Sequence, residues 1–460
     1  MPPDTISAVC TAAGEGAVGI VRISGPVSAQ IAGKIFKAQN GLSLAAAGSH
    51  KMLYGHIYDQ DKIIDEVFCV YMRAPRSYTT EDVVEIHCHG GRMALGKVLA
   101  LTRAHGARLA WPGEFTQRAF LNGRIDLTQA EAVMSIIRAG SEAALRQAVY
   151  QQEGLLSFEI KTMRAKLKEM LTRVEAALDY PEEDLEQPSA AEWIALLTEV
   201  GCQADRLLNT APAGRVIKDG LRAVIAGKPN VGKSSLLNSL AGYDAAIVTE
   251  MAGTTRDSIE QELFFADMPL ILVDTAGVRE TADKIEKIGI EKSLAKMRRA
   301  DLLLFVLDGS EPLDADDRFL LTNFPGKPCL ILINKSDLPA RTARAEVKAL
   351  TGCAEQDMIN ISVKDKSGWP VFQARLRQKA GGAGALLAEG VCVQEQRHAE
   401  LLAKAAASLR DALAAARAGL PPDCLLIDCE NAFYELGRIT GETVSDEILR
   451  EIFSRFCLGK

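Results

Sequence analysis

The chain has 460 residues, 48% of them hydrophobic and 25% charged, with a net charge of −7. That is an ordinary globular composition, long enough for about three domains with large cores. No apolar run approaches the roughly 18 residues of a membrane span, and Met1-Pro-Pro-Asp-Thr5 lacks the basic-then-apolar form of a secretion signal. A cytoplasmic protein with no membrane partner is therefore expected. The ten cysteines include no Cys-x-x-Cys pair, which argues for reduced thiols rather than disulfides or a zinc site. The acidic balance leaves room for an RNA partner only through a local basic surface.

Residues 1–122 alternate short strand-like runs (Ala17 to Ser24, Val67 to Met72, Val83 to His89) with turns and one helix, an α+β pattern. Arg22 and Glu85 lie within apolar strands, where each is costly unless paired, liganded or placed on an edge. His87 and His89 share a strand face, but no third ligand lies near them in sequence and no metal is expected there. From Leu127 the pattern turns helical: Ala130 to Ile137 and Glu142 to Ala177 carry apolar residues at three- and four-residue spacing, giving a helical segment over 123–217. The acidic run Pro181 to Pro188 reads as a solvated loop and Ala211-Pro-Ala-Gly214 as a linker. An α/β domain with a mostly parallel sheet occupies 218–380 and closes at Ala380-Gly-Gly-Ala-Gly384. Helical text resumes over 381–460, from Gln394 to Ala418 and Asp428 to Phe456. The simplest architecture is one helical domain with the α/β domain inserted in it. Arg397, His398, Lys404, Arg410 and Arg417 dot these last helices, as an RNA surface or as a solvated face.

The inserted domain carries the chemistry. The apolar run Leu221 to Ala226 leads into Gly227-Lys-Pro-Asn-Val-Gly-Lys-Ser234 and then Leu236-Leu-Asn-Ser-Leu240, the strand, glycine-rich loop and helix of a phosphate cradle. Gly227 and Gly232 let the backbone turn its N–H groups inward, and Lys233 sets a charge against the β and γ phosphates. Ser234 offers a hydroxyl to Mg²⁺. Asn230, Val231, Gly232, Lys233, Ser234 and Ser235 are the expected contacts. A second strand ends in Asp274-Thr275-Ala276-Gly277, where Asp274 can hold Mg²⁺ through its water shell and the Gly277 N–H can sense the γ-phosphate. A third ends in Asn334-Lys335-Ser336-Asp337. An Asp there accepts both the ring N–H and the exocyclic amine of guanine, whereas adenine would leave it unpaired, so GTP is the nucleotide. Ser362, Val363 and Lys364 complete the base pocket, with Val363 where alanine is usual.

The residue after Gly277 is Val278, where many small GTPases place a water-orienting Gln. Asn230 and the loop Thr249-Glu250-Met251-Ala252-Gly253-Thr254-Thr255-Arg256-Asp257 instead offer oxygen ligands that suit a monovalent cation. Thr255 is the natural Mg²⁺-sensing switch threonine.

Together with these motifs, Val18-Gly-Ile-Val-Arg22-Ile-Ser-Gly25, Thr80-Glu-Asp-Val-Val-Glu85, His89-Gly-Gly91, Pro112-Gly-Glu-Phe-Thr-Gln-Arg-Ala-Phe-Leu-Asn122 and Phe456-Cys457-Leu-Gly-Lys460 make the chain resemble the tRNA modification GTPase family MnmE, or TrmE, essentially from end to end. The resemblance implies a homodimer joined through amino-terminal domains, whose G domains meet across K⁺ when GTP binds. It implies a heterotetramer with the flavoprotein MnmG, which carries FAD, and an aminomethyl or carboxymethylaminomethyl group installed at carbon five of the tRNA wobble uridine. By motif position, Asn230, Thr249, Met251 and Thr254 become K⁺ ligands and Ser234 and Thr255 Mg²⁺ ligands. Glu286 matches the catalytic glutamate, which orients the attacking water through a second one, and Lys233 serves beside it. Arg22, Glu85, Arg124 and Lys460 match the site for a formyl or methylene tetrahydrofolate, with Arg124 where some members carry Lys. Cys457 is open to a redox or a packing role. The rival reading is a ribosome-assembly or signalling switch GTPase. The long amino-terminal domain and the Cys457-Leu-Gly-Lys460 segment are not expected of it.

Overall fold

The computed structural model describes residues 4–180, 188–241, 260–265, 268–274, 297–298, 300–323, 326–385 and 390–460, and the chain divides into two compact units.

One unit takes residues 1–134, 151–179 and 430–460. Its strands are β1 (Ile6–Val9), β2 (Gly16–Ser24), β3 (Phe36–Ala38), β4 (Met52–Asp59), β5 (Lys62–Met72), β6 (Val83–Gly90) and β7 (Arg108–Leu109), ordered β3-β4-β5-β6-β2-β1-β7. Only β1 and β7 pair in parallel. Period-two alternation turns Val21 and Ile23, Val67 and Cys69, and Val84 and Ile86 to one face, where they join one core. Three helices occur before residue 122 where the sequence pattern predicts one: α1 (Ser28–Ile35), α2 (Arg92–Ala104) and α3 (Glu114–Leu121). Each is too short to stand alone in water, and burial of Ile31, Ile35, Leu95, Val98 and Phe115 supplies what propensity does not.

The continuous helical pattern expected over Glu142 to Ala177 breaks at Gly154 (φ +89°) into α5 (Glu142–Gln152) and α6 (Leu155–Asp179). Helix α4 runs Leu127–Arg138. Leu127, Ala130 and Met134 of that helix close a core with Leu449, Phe453 and Phe456. Arg164 of α6 donates to the Phe433 carbonyl at 3.2 Å, pairs with Glu442, and lays its guanidinium 4.1 Å from the centre of the Phe433 ring.

The second unit takes residues 135–150 and 180–429. Its sheet is ordered β13-β12-β11-β8-β10-β9, from β8 (Leu221–Ala226), β9 (Glu260–Phe265), β10 (Met268–Asp274), β11 (Leu302–Asp308), β12 (Cys329–Asn334) and β13 (Met358–Asn360). All pairings are parallel except β9 with β10. Every residue of β11 and β12 is buried, as a parallel sheet covered on both faces requires. One face packs on Leu236, Leu237 and Leu240 of α8 (Lys233–Ala241) and on Trp369, Phe372 and Leu376 of α11 (Trp369–Ala385). The other packs on Leu321 of α9 (Ala315–Thr322) and Val347 of α10 (Arg344–Thr351).

Two breaks inferred from glycine and proline are not breaks. Ala211-Pro-Ala-Gly214 lies inside α7 (Ala190–Asp219), which starts from a Ser189–Glu192 capping box, and Ala380 to Gly384 continues α11 to Ala385. In α7 the reason is tertiary: Ala213, Val216 and Ile217 are buried around Pro212, and packing overrides local propensity. Helix α7 packs along α12 (Gln396–Arg417) through Leu197, Val200, Ala204 and Leu207. At roughly 1.5–3 kcal/mol for each buried Leu or Val, that contact outweighs the proline penalty of about 3 kcal/mol. Helices α13 (Pro422–Thr440) and α14 (Asp446–Ser454) separate at Gly441 (φ +90°).

An ion cluster joins the ends of the first unit's sheet to α3. Arg118 reaches Asp4 at 2.6 Å, Glu114 at 3.0 Å and Glu81 at 3.2 Å, while Arg108 holds Glu114 at 2.6 Å. Burial raises the Glu114 carboxyl, but Arg108, the Trp111 N–H and Arg118 outweigh it and hold the group below the usual range. A depressed carboxyl stabilises the fold above its unfolded value of about 4.3, and that share is lost as pH falls through the depressed folded-state value. Glu114→Gln is therefore expected to lower stability at pH 7 by about 3 kcal/mol and to flatten the loss on acidification. Calorimetric unfolding between pH 7 and pH 4 checks both; an unchanged acid limb would remove Glu114 from it.

Candidate functional site

Strand β8 lies between β10 and β11, parallel to both, so its carboxyl end opens at the edge where such sheets bind ligands. The loop after it enters α8, whose first bond runs from the Leu236 N–H to the Gly232 carbonyl at 2.9 Å. Asn230 is left-handed at φ +65°, which turns the loop back on itself. Lys233 is buried and donates to the Lys228 carbonyl at 2.7 Å. Lys228 is anchored in turn by Asp314 at 2.7 Å and Asp317 at 2.9 Å. Ser234 and Ser235 stand exposed in the first turn of α8, at the positive end of its dipole.

Asn334 closes the site from the other side. Its amide nitrogen donates to the Val231 carbonyl at 2.7 Å, and its amide oxygen accepts the Val363 N–H at 3.1 Å. One buried side chain therefore ties the phosphate loop to the loop after β13. Gly232 makes room for it: a Cβ there would stand 2.3 Å from the Asn334 amide nitrogen, at a φ of +104°. Lys335, left-handed at φ +63°, pairs with Asp308 at 2.5 Å. Burial raises Asp308, but Lys335 and Ser310 hydrogen bonds prevail and hold it below the usual carboxylate range. Ser362 is buried, Val363 packs on the sheet core, and Lys364 and Asp337 are exposed.

The structure thus gathers Asn230, Val231, Gly232, Lys233, Asn334 and the Ser362–Lys364 loop at one edge. Asp274 ends β10 opposite Ile225 of β8. Thr249 to Thr255, Thr275 to Gly277 and Glu286 lie outside the described residues. Sequence reading missed Lys228, Asp308 and Ser310. Asp308-Gly309 after the apolar run Leu302 to Leu307 is the signal that points to the latter two, since it repeats the strand-then-polar form of the other site loops.

In the first unit, Arg22 of β2 stands opposite Glu85 of β6 in register and bonds it at 2.8 Å. The two charges the sequence left open are paired with each other. The Arg22 guanidinium lies 5.2 Å from the Tyr78 ring centre and 5.5 Å from that of Phe115. Arg124 also stacks on Tyr78, at 4.9 Å, and donates to its carbonyl at 2.7 Å. Tyr78 and Arg124 line a hollow of about 530 Å³ with Arg76 and Asn122. The segment Cys457–Lys460 docks beside this pair. The Cys457 carbonyl accepts the Gly113 N–H at 3.4 Å and the Lys460 carbonyl the Phe115 N–H at 3.2 Å. Gly459, at φ +89°, lies so close that a Cβ would stand 2.2 Å from the Val9 carbonyl.

Lys460, Arg22 and Glu85 all act electrostatically on Cys10, whose thiol burial pushes up. Cys10, Tyr78 and Phe115 carry no motif and were not found by sequence. Cys457 is exposed. His87 and His89 meet carboxylates, Glu85 at 3.4 Å and Asp65 at 2.6 Å. Among the described residues no cluster of three or more His, Cys, Asp or Glu could hold a metal.

Family models match nearly the whole chain: one described as "MnmE helical domain" covers residues 127–457, and one described as "GTP-binding protein TrmE N-terminus" covers residues 5–124. The "tRNA modification GTPase MnmE" of Lactiplantibacillus plantarum is 45% identical over 461 residues, spanning 99% of this chain and 98% of that relative. The protein of the same description from Lysinibacillus sphaericus is 44% identical over 467 residues, spanning 99% of each.

The Asn334 contact yields a direct test. Gly232→Ala drives a methyl group into the Asn334 amide and strains the loop, so affinity for a fluorescent guanine nucleotide is expected to fall at least 100-fold. Asn334→Ala strands the Val231 carbonyl and the Val363 N–H, at about 1–3 kcal/mol each. Unfolding of the second unit near the wild-type temperature in Asn334→Ala would show that the brace is dispensable.

Proposed function

The chain belongs to the MnmE family of tRNA modification GTPases and is a GTP-hydrolysing enzyme that acts on tRNA; from this premise we propose the finer chemistry. GTP sits at the carboxyl edge of the parallel sheet, with its phosphates on Asn230 to Ser235 and its base on Asn334, Lys335, Asp337 and Ser362 to Lys364. The observation that carries this reading is the Asn334 amide, bonded to both the phosphate loop and the base loop, so that holding either end of the nucleotide orders the other. Ser234 and Thr255 would hold Mg²⁺, which neutralises phosphate charge as it develops. Asn230, Thr249, Met251 and Thr254 would hold K⁺. Lys233 supplies a fixed positive charge, and Glu286 orients the attacking water through a second one. Thr275 to Gly277 carry the γ-phosphate sensor.

The Arg22–Glu85 pair is the proposed folate site, together with Arg124 and Lys460. Its support is chemical fit: a carboxylate and a guanidinium beside the Tyr78 and Phe115 rings suit a flat heterocycle with donors and acceptors along one edge. A formyl or methylene tetrahydrofolate supplies the one-carbon unit, and MnmG with its FAD works beside it on carbon five of the wobble uridine. The proposed homodimer uses the sheet face opposite α1 and α2. There Met52, Tyr54 and Phe68 are exposed, Phe68 by 48%, and Tyr54 and Phe68 stack at 5.7 Å. A contiguous apolar face of this kind marks an interface. The domain division at 122, 217 and 380, and a cytoplasmic location, belong to the same reading. No helix among the described residues is long and apolar enough to cross a membrane.

Mass spectrometry of tRNA nucleosides tests the chemistry. Cells lacking the protein are expected to lose the carbon-five aminomethyl groups at the wobble uridine, with rescue by wild type and not by Lys460 deletion; unchanged nucleosides would reject it. GTP turnover is expected to be at least tenfold faster in K⁺ than in Na⁺, and equal rates would take the cation out of the mechanism. Glu286→Ala is expected to leave GTP affinity within about threefold of wild type while slowing turnover 100-fold or more. A matching loss of affinity would make Glu286 structural.

A further inference from the structure

A second hollow, of about 620 Å³, lies between the carboxyl end of α7 and the segment leading into α12, within the size range of small-molecule sites. It shares no lining residue with the nucleotide site. Leu208, Pro212, Val393 and Ala399 give it apolar walls, and Gln394 lines it as well. Gln394 is only 4% exposed, yet neither its amide oxygen nor its amide nitrogen has a hydrogen-bond partner. An unpaired buried amide is costly and calls for a partner. The wall that carries it is rigidly held: the Val393 N–H donates to Thr210 at 3.0 Å and the Cys392 N–H to Gln147 at 3.0 Å, while Gln147 donates to the Gly390 carbonyl at 3.0 Å.

The charges select the ligand. Of the two lining cations, Arg215 is paired with Asp301 and Lys218 with Glu395 at 2.6 Å. Asp219 lines the hollow too, so there is no spare positive charge for a phosphate or carboxylate. An aliphatic ligand would leave the amide unpaired. A neutral ring with a donor beside an acceptor satisfies both amide atoms at once, as Gln does on a base edge, and sets its faces on Pro212 and Val393. We propose that this hollow binds a nucleobase, read on its hydrogen-bonding edge by Gln394. The base is supplied by a free nucleoside or by the RNA substrate, and only the RNA source rests on the tRNA reading above.

The test uses the full chain with its nucleotide site saturated by GDP. Saturation-transfer NMR measures adenosine, guanosine, cytidine and uridine, and filter binding measures unmodified tRNA, for wild type, Gln394→Leu and Ala399→Phe. Gln394→Leu removes the amide, and Ala399→Phe plugs the hollow from the other wall. Both are expected to weaken binding at least tenfold, with the Gln394→Leu unfolding temperature at or above wild type because no paired group is lost. Weakening confined to nucleosides assigns a free ligand; weakening of tRNA binding assigns an RNA base. Should neither variant weaken either ligand, or should Gln394→Leu lower the unfolding temperature with binding intact, the amide is satisfied by ordered water and the proposal is overturned. A Gln394→Leu protein that does not fold leaves the decision to Ala399→Phe. Nucleoside binding in a wild type that binds no tRNA would sink the tRNA reading and leave this site standing.

Discussion

The nucleotide half of the molecule depends on one buried amide. Asn334 donates to the Val231 carbonyl and accepts the Val363 N–H, so two loops about 130 residues apart in sequence, from the numbering in, share a single rigid link. Loops at strand ends are ordinarily the mobile part of a parallel sheet. Here each is fixed by the other, and the pocket is formed by the fold rather than assembled by the ligand. Gly232 belongs to the same constraint, since its missing side chain is the space in which the amide lies. The Lys228 pairs with Asp314 and Asp317 extend the link to α9, and the Lys335–Asp308 pair extends it to β11.

The first unit uses the opposite device. It places a cation and an anion inside a sheet and lets them neutralise each other across strands β2 and β6. A pair of this kind is weak evidence for stability, because desolvation offsets much of its attraction. Its value lies in presenting two oriented charges beside aromatic rings without leaving either unpaired. The Cys457–Lys460 segment then lies on Gly113, Phe115 and Val9, bringing a lysine from the far end of the numbering to residues of β1 and β2.

The strands and most helices were legible because their signals are local. The alternation in Val83 to His89 and the fully apolar Leu302 to Leu307 each specify an element within a few residues. The phosphate and base motifs were legible for the same reason, each being a short loop whose chemistry is carried by adjacent residue types. The failures are equally physical. Pro212 and the glycines of Ala380 to Gly384 are helix breakers by propensity, and α7 and α11 run through them. Short α1 and α2 carry glycines within weak helical text and were passed over, although their Ile31, Ile35, Leu95 and Val98 are buried on the sheet.

By itself the sequence determined the fold class, the order of strand, loop and helix around the phosphate cradle, and the family. All of these follow from periodicity and from residue types close together along the chain. Only the tertiary structure decided that Arg22 meets Glu85, that Asn334 braces two loops, that Lys460 comes near Cys10, and that Gln394 is buried with its amide unpaired. Each is a contact between segments far apart in sequence, or the lack of one. Its partners are selected by packing and register, which act only once the cores have closed.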